Sequence, residues 1–159
     1  MSSKYRVVTL GGGVGAGKFL EGLYEFKKDI DLNLIINTSD DIDIYGVRVS
    51  PDVDTVIYWL SNKIDRKKGW GIKGDTSKLV NEASSNWFNL GDLDYQYNKK
   101  KKVDMDKGMS LQENIKYRCK ELGLSGVNIL PMTNERVETY DSCLFHLSIH
   151  NLFLHQLIL

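Results

Sequence analysis

The sequence predicts an α/β domain with a mainly parallel β-sheet between two helix layers, which is a three-layer Rossmann-like arrangement. Three apolar segments, at 7–10, 32–36 and 127–130, have the continuous hydrophobicity of buried parallel strands. Apolar residues at helical spacing lie between these segments, as expected for helices that connect parallel strands. We expect Val7–Leu10 at the centre of the sheet, with Leu32–Ile36 beside it.

The first strand leads into a glycine-rich turn of the kind that binds phosphate. Five glycines lie within positions 11–17, and a helical pattern follows from Phe19. A strand, a glycine turn and a helix direct free backbone N–H groups and the positive helix end toward an anion. Gly12 to Lys18 has P-loop spacing, but Phe19 replaces the Ser or Thr that binds Mg²⁺. We therefore predict phosphate binding; the alternative is a turn whose glycines serve packing only.

Polar residues follow the second strand at the edge of the sheet where ligands bind. Residues 37–41 are Asn-Thr-Ser-Asp-Asp and come directly after the strand at 32–36. In open parallel sheets, ligands lie outside the carboxyl ends of the strands, so this cluster is expected close to the glycine turn. Residues 42–49 are predicted to be extended.

A helix is predicted to begin at Ser50, because residues 50–55 are Ser-Pro-Asp-Val-Asp-Thr. Ser50 is a favourable N-cap, and Pro51 suits the first helical position. Asp52 and Asp54 would complement the positive end of the helix. These carboxylates have a second interpretation, because Mg²⁺ is commonly held by one or two carboxylates together with phosphate oxygens and water.

Two loops and one further helix start complete the pattern. Residues 69–76 form a glycine-punctuated loop, and residues 87–94 form a second, acidic loop. The lysine run at 99–102 is predicted to lie on a solvated helix face, with contact to an anionic substrate as the alternative. Residues 110–113 form a capping box that begins a helix ending near Gly123.

Composition restricts the classes of partner. The chain has 159 residues, enough for one domain, and 21 basic residues balance 21 acidic ones. This balance predicts no nucleic-acid partner. No apolar run is long enough to span a membrane, and Cys119 and Cys143 have no metal-ligand spacing. We expect a cytoplasmic protein with no membrane partner.

Four motifs in order resemble one family. They are Gly-Gly-Val-Gly-Ala-Gly-Lys-Phe-Leu-Glu-Gly-Leu at 12–23, Asn-Thr-Ser-Asp-Asp at 37–41, Ser-Pro-Asp-Val-Asp-Thr at 50–55 and Gly-Trp-Gly-Ile-Lys-Gly-Asp-Thr at 69–76. Together they closely resemble the N-terminal half of the 2-phospho-L-lactate transferase family, which makes the deazaflavin coenzyme F420. We expect residues 1–140 to be the N-terminal part of a truncated transferase domain, followed by an atypical apolar tail at 141–159.

The resemblance implies an activity and a set of site residues. It implies transfer of a phospholactyl or phosphoenolpyruvyl group from a guanosine diphosphate-linked donor to the deazaflavin Fo, giving F420-0 and GMP with Mg²⁺ as cofactor. It also implies a homodimer for the full-length family. The residues assigned to substrate binding are Gly12, Gly13, Gly15, Lys18, Asn37, Thr38, Trp70, Lys73, Asp75 and Asp92. Those assigned to Mg²⁺ are Asp40, Asp41, Asp52 and Asp54, of which Asp52 and Asp54 are also the catalytic candidates.

Three alternatives remain open at this stage. The first is a regulatory relative of the same superfamily that binds nucleotide sugars. The second is a dehydrogenase-type dinucleotide binder with Asp40 on the ribose, although its third-glycine spacing does not fit. The third is an inactive remnant. Stacking of Trp70 and Trp87 on a tricyclic ring has core packing as its alternative.

Overall fold

The computed structural model describes residues 4–78 and 90–137 of the chain. The loop around Trp87 and the apolar tail lie outside the described residues. The strands are β1 (Tyr5–Gly11), β2 (Ile30–Ile36), β3 (Ile42–Ile44), β4 (Val47–Val49) and β5 (Val127–Pro131). The helices are α1 (Gly13–Tyr24), α2 (Pro51–Leu60), α3 (Asp92–Asp106) and α4 (Leu111–Glu121).

The main sheet is parallel, as predicted, but its order differs from the expectation. The described strands run β1-β2-β5, with Val7 opposite Leu32 and Leu34 opposite Ile129. The prediction that Val7–Leu10 is central was therefore wrong for this sheet, because β2 has a partner on each side. Hydrophobicity marks a strand as buried but does not determine its place in the strand order.

The helices of the core pack against one face of this sheet. Leu32, Leu34 and Ile36 point toward that face, are at most 1% exposed, and share one apolar cluster with residues of α1, α2 and α4. Side chains of the opposite face alternate with them, and Val8 and Leu10 of β1 are 56% and 79% exposed. The Rossmann-like α/β class is confirmed, and the described residues supply the sheet and one of its helix layers. None of the described helices is long and apolar enough to cross a bilayer.

Local signals at helix ends were predicted with mixed success. The capping box of α4 is present, because Ser110 and Glu113 exchange side-chain-to-backbone hydrogen bonds. Gly123 follows the helix with a positive φ of 72°. Ser50 precedes α2 as predicted, but its hydroxyl does not cap the helix. That hydroxyl is used instead in a buried polar network with Asp41.

Close packing of α1 on α2 brings the two helix N-termini together. Gly17 of α1 lies against the indole ring of Trp59, and a Cβ at Gly17 would overlap that ring. The Trp59 indole N–H donates to the carbonyl of Gly69, at 3.2 Å, so the following loop is attached to the same contact. The glycine turn before α1 and the acidic first turn of α2 are therefore neighbours.

Candidate functional site

The glycine turn and the polar cluster after β2 meet at the carboxyl ends of the parallel strands. Gly12 is the N-cap of α1, and Gly13 has a φ of 68°, a conformation that L-residues with side chains rarely adopt. The backbone N–H of Asn37 donates to the carbonyl of Gly11, at 3.1 Å. The predicted proximity of these two segments is confirmed.

Asp52 in the first turn of α2 lies directly against the glycine turn. A Cβ at Gly12 would overlap the Asp52 carboxylate, and a Cβ at Gly13 would lie 2.9 Å from Asp52 Oδ1. Glycine at both positions therefore leaves room for this carboxylate at the positive end of α1. The Asn37 side-chain amide donates to Asp52 Oδ2 at 2.9 Å and accepts from Ser39, which ties the polar cluster to α2.

Asp40 and Asp52 form a carboxyl pair beside this turn. Their carboxyl groups are close enough to interact, since the charge of Asp52 raises the pKa of Asp40. Burial, followed by the negative charges of Asp52 and Asp41, raises the pKa of Asp40 to about 8. Burial also raises the pKa of Asp52, although hydrogen bonds from Asn37 and Asp40 oppose this effect. Two carboxyls in this geometry hold a proton between them at neutral pH, because both cannot ionise cheaply without a cation.

Asp41 belongs to the same cluster but has its own cation. Arg48 Nε lies 2.7 Å from Asp41 Oδ2, and the Ser50 hydroxyl lies 3.0 Å from the same oxygen. Burial raises the pKa of the Asp41 carboxyl, and the charge of Arg48 counteracts this increase. Because Arg48 already compensates the charge of its carboxylate, Asp41 lines the site and is not a candidate to bind a further cation.

Asp54 does not join the cluster. Its Oδ1 is 2.9 Å from Arg118 Nη1, and its Oδ2 is 3.9 Å from Lys101 Nζ, in a buried interhelical ion pair. Residues two apart on a helix project in widely different directions, so Asp52 faces the glycine turn while Asp54 faces α3 and α4. The expectation that all four carboxylates converge holds for Asp40, Asp41 and Asp52 only.

The donor set suits a cation that shares its coordination with a ligand. Within the described residues, no group of three or more His, Cys, Asp or Glu side chains has metal-binding geometry. In the same part of the chain, no lysine or arginine forms a salt bridge with Asp40 or Asp52. Mg²⁺ is commonly held by one or two carboxylates together with phosphate oxygens and water, and this pair fits that pattern.

Comparison with known proteins decides the family. The family model described as 2-phospho-L-lactate transferase CofD matches residues 7–143. The chain belongs to the 2-phospho-L-lactate transferase CofD family. A phosphoenolpyruvate transferase of Streptomyces coelicolor is 37% identical over 140 residues, which are 85% of this chain and 44% of that protein. A 2-phospho-L-lactate transferase of Methanococcoides burtonii is 34% identical over 137 residues, 84% of this chain and 44% of that protein. The chain thus spans less than half the length of these relatives.

Two loops that resemble the family's motifs hold each other in place. Asp75 accepts the backbone N–H groups of Leu93 at 2.9 Å and of Asp94 at 3.1 Å, and so caps α3 from another loop. A Cβ at Gly91 would overlap the Asp75 carboxylate. In return, Asp92 Oδ2 accepts from the Thr76 hydroxyl at 2.5 Å. Both predicted substrate residues, Asp75 and Asp92, have structural partners, and their contact with substrate stays a prediction.

The other assigned residues differ in how accessible they are. Lys18, Lys73 and Gly15 are exposed, and no atom lies within 4 Å of a Cβ added at Gly15. Trp70 is 42% exposed, with Lys68 Nζ 5.4 Å from its ring centre. Thr38 is fully buried, and its hydroxyl has no hydrogen-bond partner among the described residues. Their roles in substrate binding are untested predictions.

The sequence analysis did not predict that the cations beside Asp54, Lys101 and Arg118, are buried. The lysine run was predicted to be solvated, which holds for Lys100 and Lys102 but not for Lys101, which is 8% exposed. The available signal was the spacing of Asp94, Asn98 and Lys101, which places three polar residues on one face of α3. All three are buried.

Proposed function

We propose that this chain forms the donor-binding and metal-binding part of a transferase in F420 biosynthesis. The reaction moves a phospholactyl or phosphoenolpyruvyl group from a guanosine diphosphate-linked donor to Fo, with F420-0 and GMP as products. Family membership and the names of the relatives support this reaction class. The observation that carries the proposal is the Asp40–Asp52 pair against the Gly12–Gly13 turn.

The donor diphosphate is assigned to the glycine turn at the N-terminus of α1. Backbone N–H groups and the helix dipole attract its oxygens, but the Asp52 carboxylate at the same place repels them. A cation between phosphate and carboxylate resolves this conflict, so Asp40 and Asp52 are the residues that would hold Mg²⁺. When bound, Mg²⁺ would neutralise the charge that develops on the departing phosphate.

The chain's own residues also account for the proton. The acceptor hydroxyl oxygen bonds to the phosphorus that carries the lactyl or enolpyruvyl group, while the phosphorus–oxygen bond to GMP breaks. The hydroxyl proton passes to the carboxyl pair, where Asp52 faces the turn and is the assigned base. The Asn37 amide, 2.9 Å from Asp52 Oδ2, keeps that carboxylate oriented.

The remaining assignments belong to the same proposal. Trp70 is the candidate platform for a ring, since its exposed indole belongs to the loop that the Gly69–Val14 contact holds against α1. Lys18 and Lys73 are candidate phosphate contacts. We place the protein in the cytoplasm, without nucleic-acid or membrane partners, and with a homodimer as the expected state of the full-length family.

A binding titration tests the proposal on the chain as it exists. GDP is titrated by calorimetry with and without Mg²⁺, for the wild type, Asp52→Asn and the control Asp43→Asn. Asp43 is an exposed acid of β3 that pairs with Arg136, outside the carboxyl pair. We expect Mg²⁺ to strengthen GDP binding in the wild type and the control. In Asp52→Asn, binding with Mg²⁺ should fall by about tenfold or more.

A turnover assay then addresses the reaction itself. Protein, Fo, donor and Mg²⁺ are mixed, and F420-0 is detected by mass. Formation of F420-0 by the wild type and its loss in Asp52→Asn would support transfer. GDP affinity that depends on neither Mg²⁺ nor Asp52 would refute the site assignment. Tight binding of nucleotide sugars without turnover would favour the regulatory alternative.

A further inference from the structure

A chain of buried polar contacts connects Lys101 of α3 to the two segments that carry the carboxyl pair. Lys101 Nζ lies 3.2 Å from Ser50 Oγ, and Ser50 Oγ lies 3.0 Å from Asp41 Oδ2. Ser50 is completely buried, and Lys101 and Asp41 are each 8% exposed. Asp41 adjoins Asp40 in the chain, and Ser50 lies two residues before Asp52.

The direction of these hydrogen bonds is fixed by chemistry. An ammonium group only donates, so Ser50 must accept from Lys101. The single hydroxyl proton of Ser50 is then directed to Asp41, whose carboxylate only accepts. A serine at this position normally caps its own helix, but here the hydroxyl makes no cap hydrogen bond. The loss of that cap indicates that the hydroxyl has another role.

We propose that Lys101 is a positioning residue that sets the separation of Asp40 and Asp52 through Ser50 and Asp41. The assignment of this carboxyl pair as a metal site rests on the proposed function. The linkage itself rests on the contacts of α3 with the N-terminus of α2. Among the described residues, Lys101 forms no hydrogen bond or salt bridge with Asp40 or Asp52, so it acts on them through Ser50 and Asp41.

Lys101→Met tests the linkage while leaving the neighbouring acids paired. Asp41 keeps Arg48 at 2.7 Å, and Asp54 keeps Arg118 at 2.9 Å. Ser50→Ala interrupts the same linkage without removing a charge. Lys102→Met is the matched control, because Lys102 is an exposed neighbour on α3 that pairs with Asp106.

The first measurement is Mn²⁺ affinity, followed by electron paramagnetic resonance in the presence of GDP. We expect Lys101→Met and Ser50→Ala to bind Mn²⁺ about 10–100-fold more weakly than the wild type, with Lys102→Met unchanged. The double variant should lose no more Mn²⁺ affinity than the single variant with the larger loss, because the two residues act in series. Additive losses, or wild-type affinity in both single variants, would overturn the proposal.

The second measurement needs no metal. Amide hydrogen exchange is followed at Ser39 and Asp41, whose N–H groups are hydrogen-bonded within the polar cluster. Exchange there should accelerate in Lys101→Met and Ser50→Ala but not in Lys102→Met. Unchanged exchange in the first two variants would overturn the proposal even if Mn²⁺ binds. A wild type that binds no Mn²⁺ would refute the metal assignment alone. If Lys101→Met does not fold, Ser50→Ala is the variant that decides.

Discussion

The carboxyl pair should make the metal-free chain less stable as pH rises, and Asp40→Asn should remove that effect. Asn keeps the shape of the side chain and cannot ionise, so it mimics the protonated acid at every pH. Asp40 has its pKa raised from 3.8 to about 8, by burial first and then by the charges of Asp52 and Asp41. An acid whose folded-state pKa is raised binds protons more tightly in the native state than in the unfolded state.

The sign and size of the effect follow from this difference. Because the native state holds the extra proton between about pH 4 and pH 8, the free energy of unfolding falls as pH rises through that range. A shift of about four pKa units corresponds to a ceiling of about 5 kcal/mol. Partial exposure of Asp40 and proton sharing with Asp52 reduce this ceiling, so we expect about 2 kcal/mol at pH 8.5.

Urea unfolding at pH 5 and pH 8.5 measures this difference without metal. The stability gain of Asp40→Asn over the wild type should increase from the lower to the higher pH. Asp43→Asn is the control, because this exposed acid of β3 pairs with Arg136 outside the carboxyl pair. Its stability should differ little from that of the wild type at either pH. If Asp40→Asn is no more stable than the wild type at pH 8.5, the argument from the carboxyl pair fails.

Three further predictions concern the scaffold. Arg118→Met should cost about 3–5 kcal/mol in urea unfolding, because it removes the closest cation from buried Asp54. Asp75→Ala should cost about 1–2 kcal/mol by the same measurement, because α3 loses the side chain that caps it. Leu10→Lys should shift the mass measured by light scattering toward the monomer, because Leu10 and Val8 form an open apolar sheet face that favours self-association.

Each of the three has a matched surface control. Lys100→Met removes an exposed cation on α3, and Asp31→Ala removes an exposed acid that pairs with Arg6, so both should change stability by less than about 0.5 kcal/mol. Phe26→Lys changes an apolar side chain that is 58% exposed in the turn between α1 and β2, and should leave the mass unchanged. Equal effects in a variant and its control would contradict the corresponding explanation.

Local signals predicted the parts of the fold that depend on neighbouring residues. The capping box at Ser110, the stop at Gly123 and the glycine turn before α1 each depend on a few consecutive residues, and each is present. Strand order and cation partners depend on distant parts of the chain. Asp54 finds Arg118 at a separation of 64 residues, and no spacing in the sequence marks that contact. The burial of Lys101 had a local signal, because its spacing from Asp94 and Asn98 places three polar residues on one face of α3.

The carboxyl pair differs from the neighbouring acids, because only those neighbours have a cation close enough to compensate their charge. Arg48 compensates Asp41, while Arg118 and Lys101 flank Asp54. Among the described residues, only Asp40 and Asp52 of this acidic group have no such cation, and Asp52 also adjoins the glycine turn. A fold that needed these acids only as helix caps would have no reason to place two half-buried acids side by side. Uncompensated negative charge beside an anion-binding turn is explained by a cation that arrives with the anion.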